Sequence, residues 1–586
     1  MTVDIMDTDA ELSKTSTPAG YLSSSAGPRT SLTISNIRVR SAVVYVAVAA
    51  ALVVATAILR GQAISDWGLI NPDEAGLIAE ARAARLSPVP WSTWVIGTTG
   101  PYWTLFLAGL GVLGAPLTLA FAHLLSAILL ALAAFALFVA ASRAIGRGPA
   151  LVATVVWWYP IATTWLVGVP MDFSFLSTEY LPMLLVVASA LVSREQLAAR
   201  PWLFAVLGVL AGFAVGAKYQ VAPLAVGFVA AQLIVLRPSP KRTLVSALSW
   251  LAGAVLPIAA VVLVMVASPT TNWTLVEQNL SILVSYVGNR SQTQLGSLAG
   301  GRVEATVASL IGPGPIGPGY IGPGVYLLAV LAGLIWLGRH CDRRSNVARV
   351  VLIASGFTAI LAGGMGAAHY LLLLFAAAGL AATMPVRSGA RLFPRRLSPT
   401  RRDRALAIAA AVVLVFVFGY VIQRSRLVVP LSPRAAAAAF SPDSVNRDPA
   451  LARACPPGSK ALVWGYAPEL YIAQDWQSTS PYTDMVGLAV GAPSSRESGE
   501  PVVRAGIDRA DCIVDATLMK RPICPDPRPE LPSWCLSAKF SLPRFYPQLV
   551  PLINRQFHTV RIDRSVDVDD RFICEGCTLY VRNVSS

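Results

Sequence analysis

Residues 116–141 read PLTLAFAHLLSAILLALAAFALFVAA, a run without Asp, Glu, Lys or Arg. A helix rises about 1.5 Å per residue and the hydrocarbon core of a bilayer is about 30 Å thick, so about 20 apolar residues cross it. Only helices and closed barrels satisfy their backbone hydrogen bonds inside lipid. The run therefore predicts a membrane-spanning α-helix.

Similar runs recur along the chain. Of its 586 residues, 55% are hydrophobic and only 13% are charged, which excludes an ordinary soluble globular protein. We therefore expect a polytopic α-helical membrane protein with about eleven transmembrane helices. They are predicted near residues 41–60, 116–141, 148–168, 174–192, 202–217, 219–236, 243–267, 324–338, 348–366, 369–385 and 405–423.

The basic residues indicate orientation rather than a nucleic-acid partner. The net charge is +15, but the Arg residues lie mainly in short loops between apolar runs. Cytosolic loops are enriched in Lys and Arg, which predicts a cytosolic amino terminus and an extracytoplasmic carboxyl terminus. The cytosolic group comprises Arg143, Arg147, Arg194, Arg200, Arg237, Lys241, Arg242, Arg339, Arg343, Arg344 and a dense run at 387–404.

The predicted domains follow from this topology. Residues 1–40 are polar, rich in Ser and Thr and without a signal-peptide core, so we expect a disordered cytosolic tail. Residues 41–426 form the transmembrane module, with outer loops at 61–115 and 268–323. Within the first loop, Tyr102–Leu113 is too short for an upright span, and we expect an interfacial helix. A short tilted span is the alternative, and it would invert the later loops.

The long outer loop ends in three Ile-Gly-Pro-Gly repeats, beginning at 311, 316 and 321. Because Pro cannot continue a helix and Gly permits positive φ, these repeats predict turns. The loop is either a rigid spacer that returns the chain to the membrane or a mobile flap over a lipid substrate.

Residues 427–586 are predicted to form a small extracytoplasmic α/β domain with short strands at Ala461-Leu-Val-Trp, Cys512-Ile-Val-Asp and Thr578-Leu-Tyr-Val-Arg. An even set of cysteines in an oxidising compartment predicts disulfides, with fifteen connectivities open. Cys574 and Cys577 are also compatible with half of a zinc site or a redox pair. The six cysteines are Cys455, Cys512, Cys524, Cys535, Cys574 and Cys577.

Asn71-Pro-Asp-Glu74 is a complete helix start, because Asn71 can cap, Pro72 suits the first turn, and two acids favour the positive end of the dipole. The same acids can instead serve catalysis. What favours catalysis is that further ionisable groups fall on the same predicted outer face. They are Asp172, Glu179, Lys218 and His369.

Each of these residues also has a structural interpretation. Lys218 can extend to the interface, His369 can end a helix, and Asp172 can cap one. Together, however, a carboxylate and cations at membrane depth favour a shared cavity. Glycosyl transfer from a phosphate-linked sugar needs a base for the acceptor hydroxyl and cations for the departing phosphate.

The sequence resembles membrane glycosyltransferases of the GT-C class, in the branch of protein O-mannosyltransferases, aminoarabinose transferases and rhizobial galacturonosyltransferases. The similar elements are Asp73-Glu74 after the first span, Gly100-Pro-Tyr-Trp103, Asp172, Lys218-Tyr219, His369-Tyr-Leu-Leu and Val463-Trp-Gly-Tyr-Ala-Pro-Glu-Leu-Tyr471. The resemblance implies that Asp73 is the base of an inverting displacement, with Glu74 and Asp172 orienting acceptor or base.

Aminoarabinose transferases carry a basic residue before the proline of the interfacial segment, whereas this chain has Thr99-Gly100-Pro101. Donor-phosphate binding is therefore assigned to Lys218, Tyr219, His369 and Tyr370, with Arg290 as a weaker candidate. No cofactor is required, although Asp73 and Asp172 could share a divalent cation.

The partners expected from this resemblance are a polyprenyl-phosphate sugar donor and a glycan, lipid or protein acceptor at a bacterial plasma membrane. Two other functions remain open. One is a transporter or flippase of a lipid-linked glycan, and the other is a non-catalytic envelope scaffold.

Overall fold

The computed structural model describes residues 31–65, 72–95, 99–163, 175–281, 342–362, 368–385, 448–483, 488, 493–517, 541–560 and 577–583. In the amino-terminal half its helices are α1 Ser31–Ser65, α2 Pro72–Leu86, α3 Pro101–Val112, α4 Leu119–Ile145, α5 Arg147–Thr163, α6 Tyr180–Ser189, α7 Arg194–Ala199, α8 Leu203–Ala217, α9 Ala222–Leu236 and α10 Pro240–Ala267. They are followed by α11 Arg343–Ala362 and α12 Leu371–Ala382.

Five helical segments in the described part of the chain are long and apolar enough to cross a membrane. They are Ala42–Gly61, Leu119–Ile145, Tyr219–Leu236, Pro240–Ala267 and Arg343–Ala362. This mostly helical, polytopic architecture agrees with the sequence prediction. The predicted spans at 324–338 and 405–423 lie outside the described residues, so the number of spans stays a prediction.

The most buried of these segments is α4. In its most apolar stretch, 72% of the residues are buried inside the protein, whereas the corresponding value for Pro240–Ala267 is 17%. The apolar run 116–141 therefore supplies the most buried of these five segments. Helix α1 begins at Ser31, so residues 31–40, predicted to be a disordered tail, are helical. Because residues 31–40 contain neither Gly nor Pro, nothing in the sequence interrupts the helix before the apolar run.

Small residues bring α8 close to α10. A Cβ added to Gly208 would lie 2.0 Å from the Trp250 carbonyl oxygen, and one added to Gly212 would lie 2.3 Å from that of Ala254. This four-residue spacing is typical of close helix packing in membranes. The next glycine in the series, Gly216, continues the pattern, since its Cβ would lie 2.4 Å from the Tyr102 ring. Helix α3 is thus held beside the end of α8.

The carboxyl-terminal segment contains a five-stranded mixed sheet. Its strands are β1 Lys460–Trp464, β2 Gln477–Ser478, β3 Cys512–Asp515, β4 Phe557–Val560 and β5 Thr578–Arg582, in the order β2-β1-β3-β5-β4. Strands β2 and β3 pair parallel to β1, whereas β5 is antiparallel to both β3 and β4. The accompanying helices are α13 Pro449–Ala454, α14 Glu469–Ala473, α15 Pro493–Arg509, α16 Leu542–Phe545 and α17 Val550–Gln556.

This sheet packs on the loop 61–115, which is predicted to be extracytoplasmic. Leu462 and Trp464 of β1 share one apolar cluster with Trp91 and Trp94 from that loop. The predicted start of the outer domain at residue 427 lies outside the described residues.

Disulfides are present in this segment, as predicted. Cys455 is bonded to Cys512, and Cys577 is also disulfide-bonded. An oxidised Cys577 does not act as a zinc ligand. Cys524, Cys535 and Cys574 lie outside the described residues.

Candidate functional site

The two acids at the start of α2 have opposite environments. Successive helical residues point about 100° apart, and here Asp73 is exposed while Glu74 is 1% exposed. Pro72 occupies the first position of the helix, as its sequence predicted. Asp73 is therefore a surface carboxylate, whereas Glu74 is a core carboxylate.

Glu74 joins α2 to two other parts of the bundle. Its Oε2 lies 2.9 Å from Nε2 of His123 on α4, and its Oε1 accepts a hydrogen bond of 2.9 Å from the Leu176 backbone N–H. The Glu74 and His123 side chains are both completely buried. The His123 ring lies 4.7 Å from the Phe175 ring. These contacts fix the segment 175–179, which we call the bridging segment.

His123 was not among the predicted site residues, although it is an imidazole inside an apolar run. Polar groups at membrane depth are costly and usually paired, so its position in 116–141 was the available signal. Arg60 is a second buried polar group in this part of the bundle. Arg60 donates to the Tyr180 hydroxyl at 2.6 Å and to Ser126 Oγ at 3.0 Å.

Three of the predicted phosphate-binding residues, Lys218, His369 and Tyr370, come together at the other end of the bridging segment. Lys218 ends α8 and is 4% exposed, and its Nζ lies 3.4 Å from Glu179 Oε1 and 5.6 Å from the centre of the Tyr370 ring. The His369 ring is 4.6 Å from the Tyr370 ring. Both residues lie in the short helix Ala368–Tyr370, directly before α12. Tyr219 is 37% exposed at the start of the helix after Lys218.

Glu179 is the counter-ion of this group. It is fully buried and directly precedes α6, which begins at Tyr180 rather than at the predicted start of the span, residue 174. Its carboxylate accepts hydrogen bonds from the Ser177 hydroxyl, from Thr178 Oγ1 at 3.0 Å and from Gln220 Nε2 at 3.4 Å. A buried carboxylate with an ammonium and three donors is a fully satisfied polar group.

The bridging segment connects Glu74 of α2 with Lys218 at the end of α8. Leu176 contacts Glu74, and Glu179 contacts Lys218. Helix α3 fixes the middle, since Trp103 Nε1 donates to the Thr178 carbonyl at 2.8 Å. The amino end of α3 is also fixed, because the N–H of its N-cap residue, Gly100, donates to the Ala217 carbonyl at 3.0 Å. A Cβ at Gly100 would lie only 1.9 Å from the Gly216 carbonyl oxygen, so this contact requires glycine.

The carboxyl-terminal sheet reaches the site through the turn after β1. Gly465 has φ +120°, a conformation that favours glycine, and the next residue, Tyr466, donates a hydrogen bond from its hydroxyl to Asp73 Oδ1. On the same helix, Arg82 Nη1 lies 3.3 Å from Asp475 Oδ1. Burial lowers the pKa of Arg82, an effect that Asp475 opposes, and the guanidinium stays cationic. The sheet is thus docked on α2.

Comparison with solved structures gives a distant likeness. No family model matches the chain, and no curated protein matches it. Among solved structures, the crystal structure of ArnT from Cupriavidus metallidurans bound to undecaprenyl phosphate is similar. The identity is 15%, the TM-score is 0.46, and the likeness covers 93% of this chain and 98% of that one. ArnT is an aminoarabinose transferase of the GT-C class, which the sequence resembles. At this identity and TM-score, the likeness assigns no family, activity or ligand to this chain.

Two predicted site residues, Asp172 and Arg290, lie outside the described residues. Their roles therefore remain predictions. Within the described ranges, no group of three or more His, Cys, Asp or Glu side chains is arranged to hold a metal ion. A cation shared by Asp73 and Asp172 would involve the region that is not described, so that hypothesis also remains open.

Proposed function

We propose that this chain is a membrane-embedded glycosyltransferase that moves a sugar from a polyprenyl-phosphate-linked donor to an acceptor on the extracytoplasmic side. One observation carries the proposal. A surface carboxylate, Asp73, adjoins Glu74, which shares the bridging segment with the buried Lys218 and its neighbours His369 and Tyr370. A base for an acceptor hydroxyl and cations for a phosphate are what this transfer needs.

The reaction is a single displacement. The acceptor oxygen attacks the anomeric carbon as Asp73 removes its proton, and the bond between that carbon and the phosphate oxygen breaks with inversion. The polyprenyl phosphate leaves with the bonding electrons. Lys218 and His369 would stabilise the charge on this phosphate, while Tyr370 orients them through its ring contacts with both.

The environment of Glu74 supports a positioning role. Because its two oxygens are engaged by His123 and Leu176 in a buried location, Glu74 holds α2 against the bridging segment. Asp172 is proposed to orient the acceptor or to share a divalent cation with Asp73. Arg290 and Tyr219 are proposed as weaker contacts to the donor phosphate. The proposal requires no cofactor.

The proposal is tested with purified protein in lipid nanodiscs, a panel of polyprenyl-phosphate sugars and candidate envelope acceptors. Asp73→Asn should reduce transfer about 10²- to 10⁴-fold, the usual contribution of general base catalysis. The matched control is Asp475→Asn, since Asp475 is also an exposed aspartate facing α2 but pairs with Arg82. It should retain the parental rate.

Two results would count against the proposal. Equal turnover in Asp73→Asn and the parent would remove the base assignment. If no donor is consumed while vesicles containing the protein translocate a fluorescent lipid-linked glycan, the chain is a flippase instead.

A further inference from the structure

A cavity of about 290 Å³ lies at the opposite end of α8 from Lys218. Its lining includes Pro201 and Phe204, near the start of α8, and Leu236, at the end of α9. Since α8 has 15 residues at about 1.5 Å each, this end is about 22 Å from Lys218. The cavity is therefore separate from the candidate sugar-transfer site, and lies on the side predicted to be cytosolic.

One wall of the cavity is cationic. Arg237 and Arg242 line it, and neither guanidinium has a hydrogen-bond or ion-pair partner in the described part of the chain. Ser246, which is 3% exposed, also lines it, and its hydroxyl has no partner among the described residues. No acidic side chain is among the described lining residues. Two exposed cations and a buried hydroxyl, none of which has a partner among the described residues, form a site for an anion.

The backbone adds to this positive potential. Helix α10 starts at Pro240, and its N-cap residue, Ser239, lines the cavity without a side-chain capping bond. A helix amino terminus carries a partial positive charge and backbone N–H groups that favour phosphate oxygens.

The other wall of the cavity is apolar, which distinguishes an amphipathic ligand from a free ion. Leu197, Pro201, Phe204 and Leu236 form it. Trp202, 59% exposed beside them, is the kind of residue that lies at the boundary between lipid and water. Inorganic phosphate would gain nothing from this wall, whereas the glycerol and first methylene groups of a lipid would.

We propose that this cavity binds the headgroup of an anionic phospholipid from the surrounding leaflet. Arg237 and Arg242 hold the phosphate, the Ser246 hydroxyl donates to it, and the start of the acyl chains packs on Phe204 and Leu236. Basic pockets between membrane helices on the cytosolic side are suited to acidic headgroups.

The test measures lipid retention and thermal stabilisation of the full chain in neutral detergent. Phosphatidylglycerol should stabilise the protein and be retained in native mass spectra, at concentrations where phosphatidylcholine and inorganic phosphate do neither. The double variant Arg237→Gln/Arg242→Gln should bind phosphatidylglycerol at least about tenfold more weakly. Lys241→Gln is the matched control, because Lys241 is an exposed cation next to Arg242 outside the lining.

A second experiment fills the cavity and keeps the charges of Arg237 and Arg242. Ser246→Leu should reduce phosphatidylglycerol retention as strongly as the double variant. The proposal is overturned if the parent does not prefer phosphatidylglycerol over phosphatidylcholine, or if inorganic phosphate stabilises it equally. It is also overturned if Lys241→Gln loses as much affinity as the double variant, which would indicate general surface charge. None of these readouts depends on sugar transfer.

Discussion

Removing the charge of Lys218 should destabilise the protein through the carboxylate it leaves behind. Glu179 is fully buried, and the Lys218 Nζ lies 3.4 Å from its Oε1. At that distance, with an effective dielectric constant of about 20, the attraction is about 5 kcal/mol. Breaking a buried pair by deleting one partner costs about 3–5 kcal/mol. Because Glu179 keeps hydrogen bonds from Ser177, Thr178 and Gln220, we expect Lys218→Met to cost about 3 kcal/mol.

A double-mutant cycle measures this coupling. Lys218→Met, Glu179→Gln and the double variant are purified in detergent, and their denaturant unfolding is followed by tryptophan fluorescence. The double variant should recover most of the loss, because it buries no unpaired charge. Lys241→Met, on an exposed side chain, should stay within about 0.5 kcal/mol of the parent. Additive effects of the two single changes would refute the pairing, and so would a neutral Lys218→Met.

Two further predictions concern the carboxyl-terminal sheet. The Cys455–Cys512 disulfide closes a loop with a sequence separation of 57. The variant Cys455→Ser/Cys512→Ser should therefore lower the free energy of unfolding by about 4 kcal/mol, measured by limited proteolysis of the full chain. Unchanged protection of the sheet from proteolysis would contradict this prediction. Burial raises the pKa of Asp515 above 3.8, although hydrogen bonds from Thr517 and Leu542 oppose the shift. The folded state therefore favours the protonated Asp515 carboxyl group. Its contribution to stability is complete below the pKa of Asp515 in the unfolded chain, and it is lost as the pH rises through the pKa of Asp515 in the folded protein. The free energy of unfolding, measured by proteolysis as a function of pH, should therefore fall with rising pH by at most about 1.4 kcal/mol per pH unit, and Asp515→Asn should abolish this dependence. The same pH dependence in the variant and the parent would exclude Asp515 as its source.

Much of the fold could be predicted because its signals are local. An apolar run such as 116–141 is long enough to decide by itself that it spans the bilayer, and α4 matches it closely. The short helix α3 and the strands β1, β3 and β5 were also predicted from their own residues. Strand β2 has two residues, and β4 exposes His558 and Thr559, so neither carries an apolar pattern. Their pairing depends on strands elsewhere in the chain.

The candidate site was predicted in part. Topology alone placed Lys218 and His369 on one face, and the structure brings them to the same aromatic ring. The partners of the carboxylates were not predicted, because they are distant in sequence. His123 is 49 residues from Glu74, and Tyr466 is 393 residues from Asp73. No periodicity or capping pattern connects residues so far apart.

Burial distinguishes the adjacent acids in α2, of which the family resemblance implies that Asp73 is the base and Glu74 an orienting residue. A general base must approach the proton it removes. Glu74 cannot do so without giving up its contacts with His123 and Leu176, and it is 1% exposed. Asp73 is at the surface, where it accepts a hydrogen bond from a tyrosine hydroxyl of the docked sheet. A hydroxyl that donates to Asp73 occupies the position that an acceptor hydroxyl would need, so Tyr466 marks the direction from which an acceptor would enter.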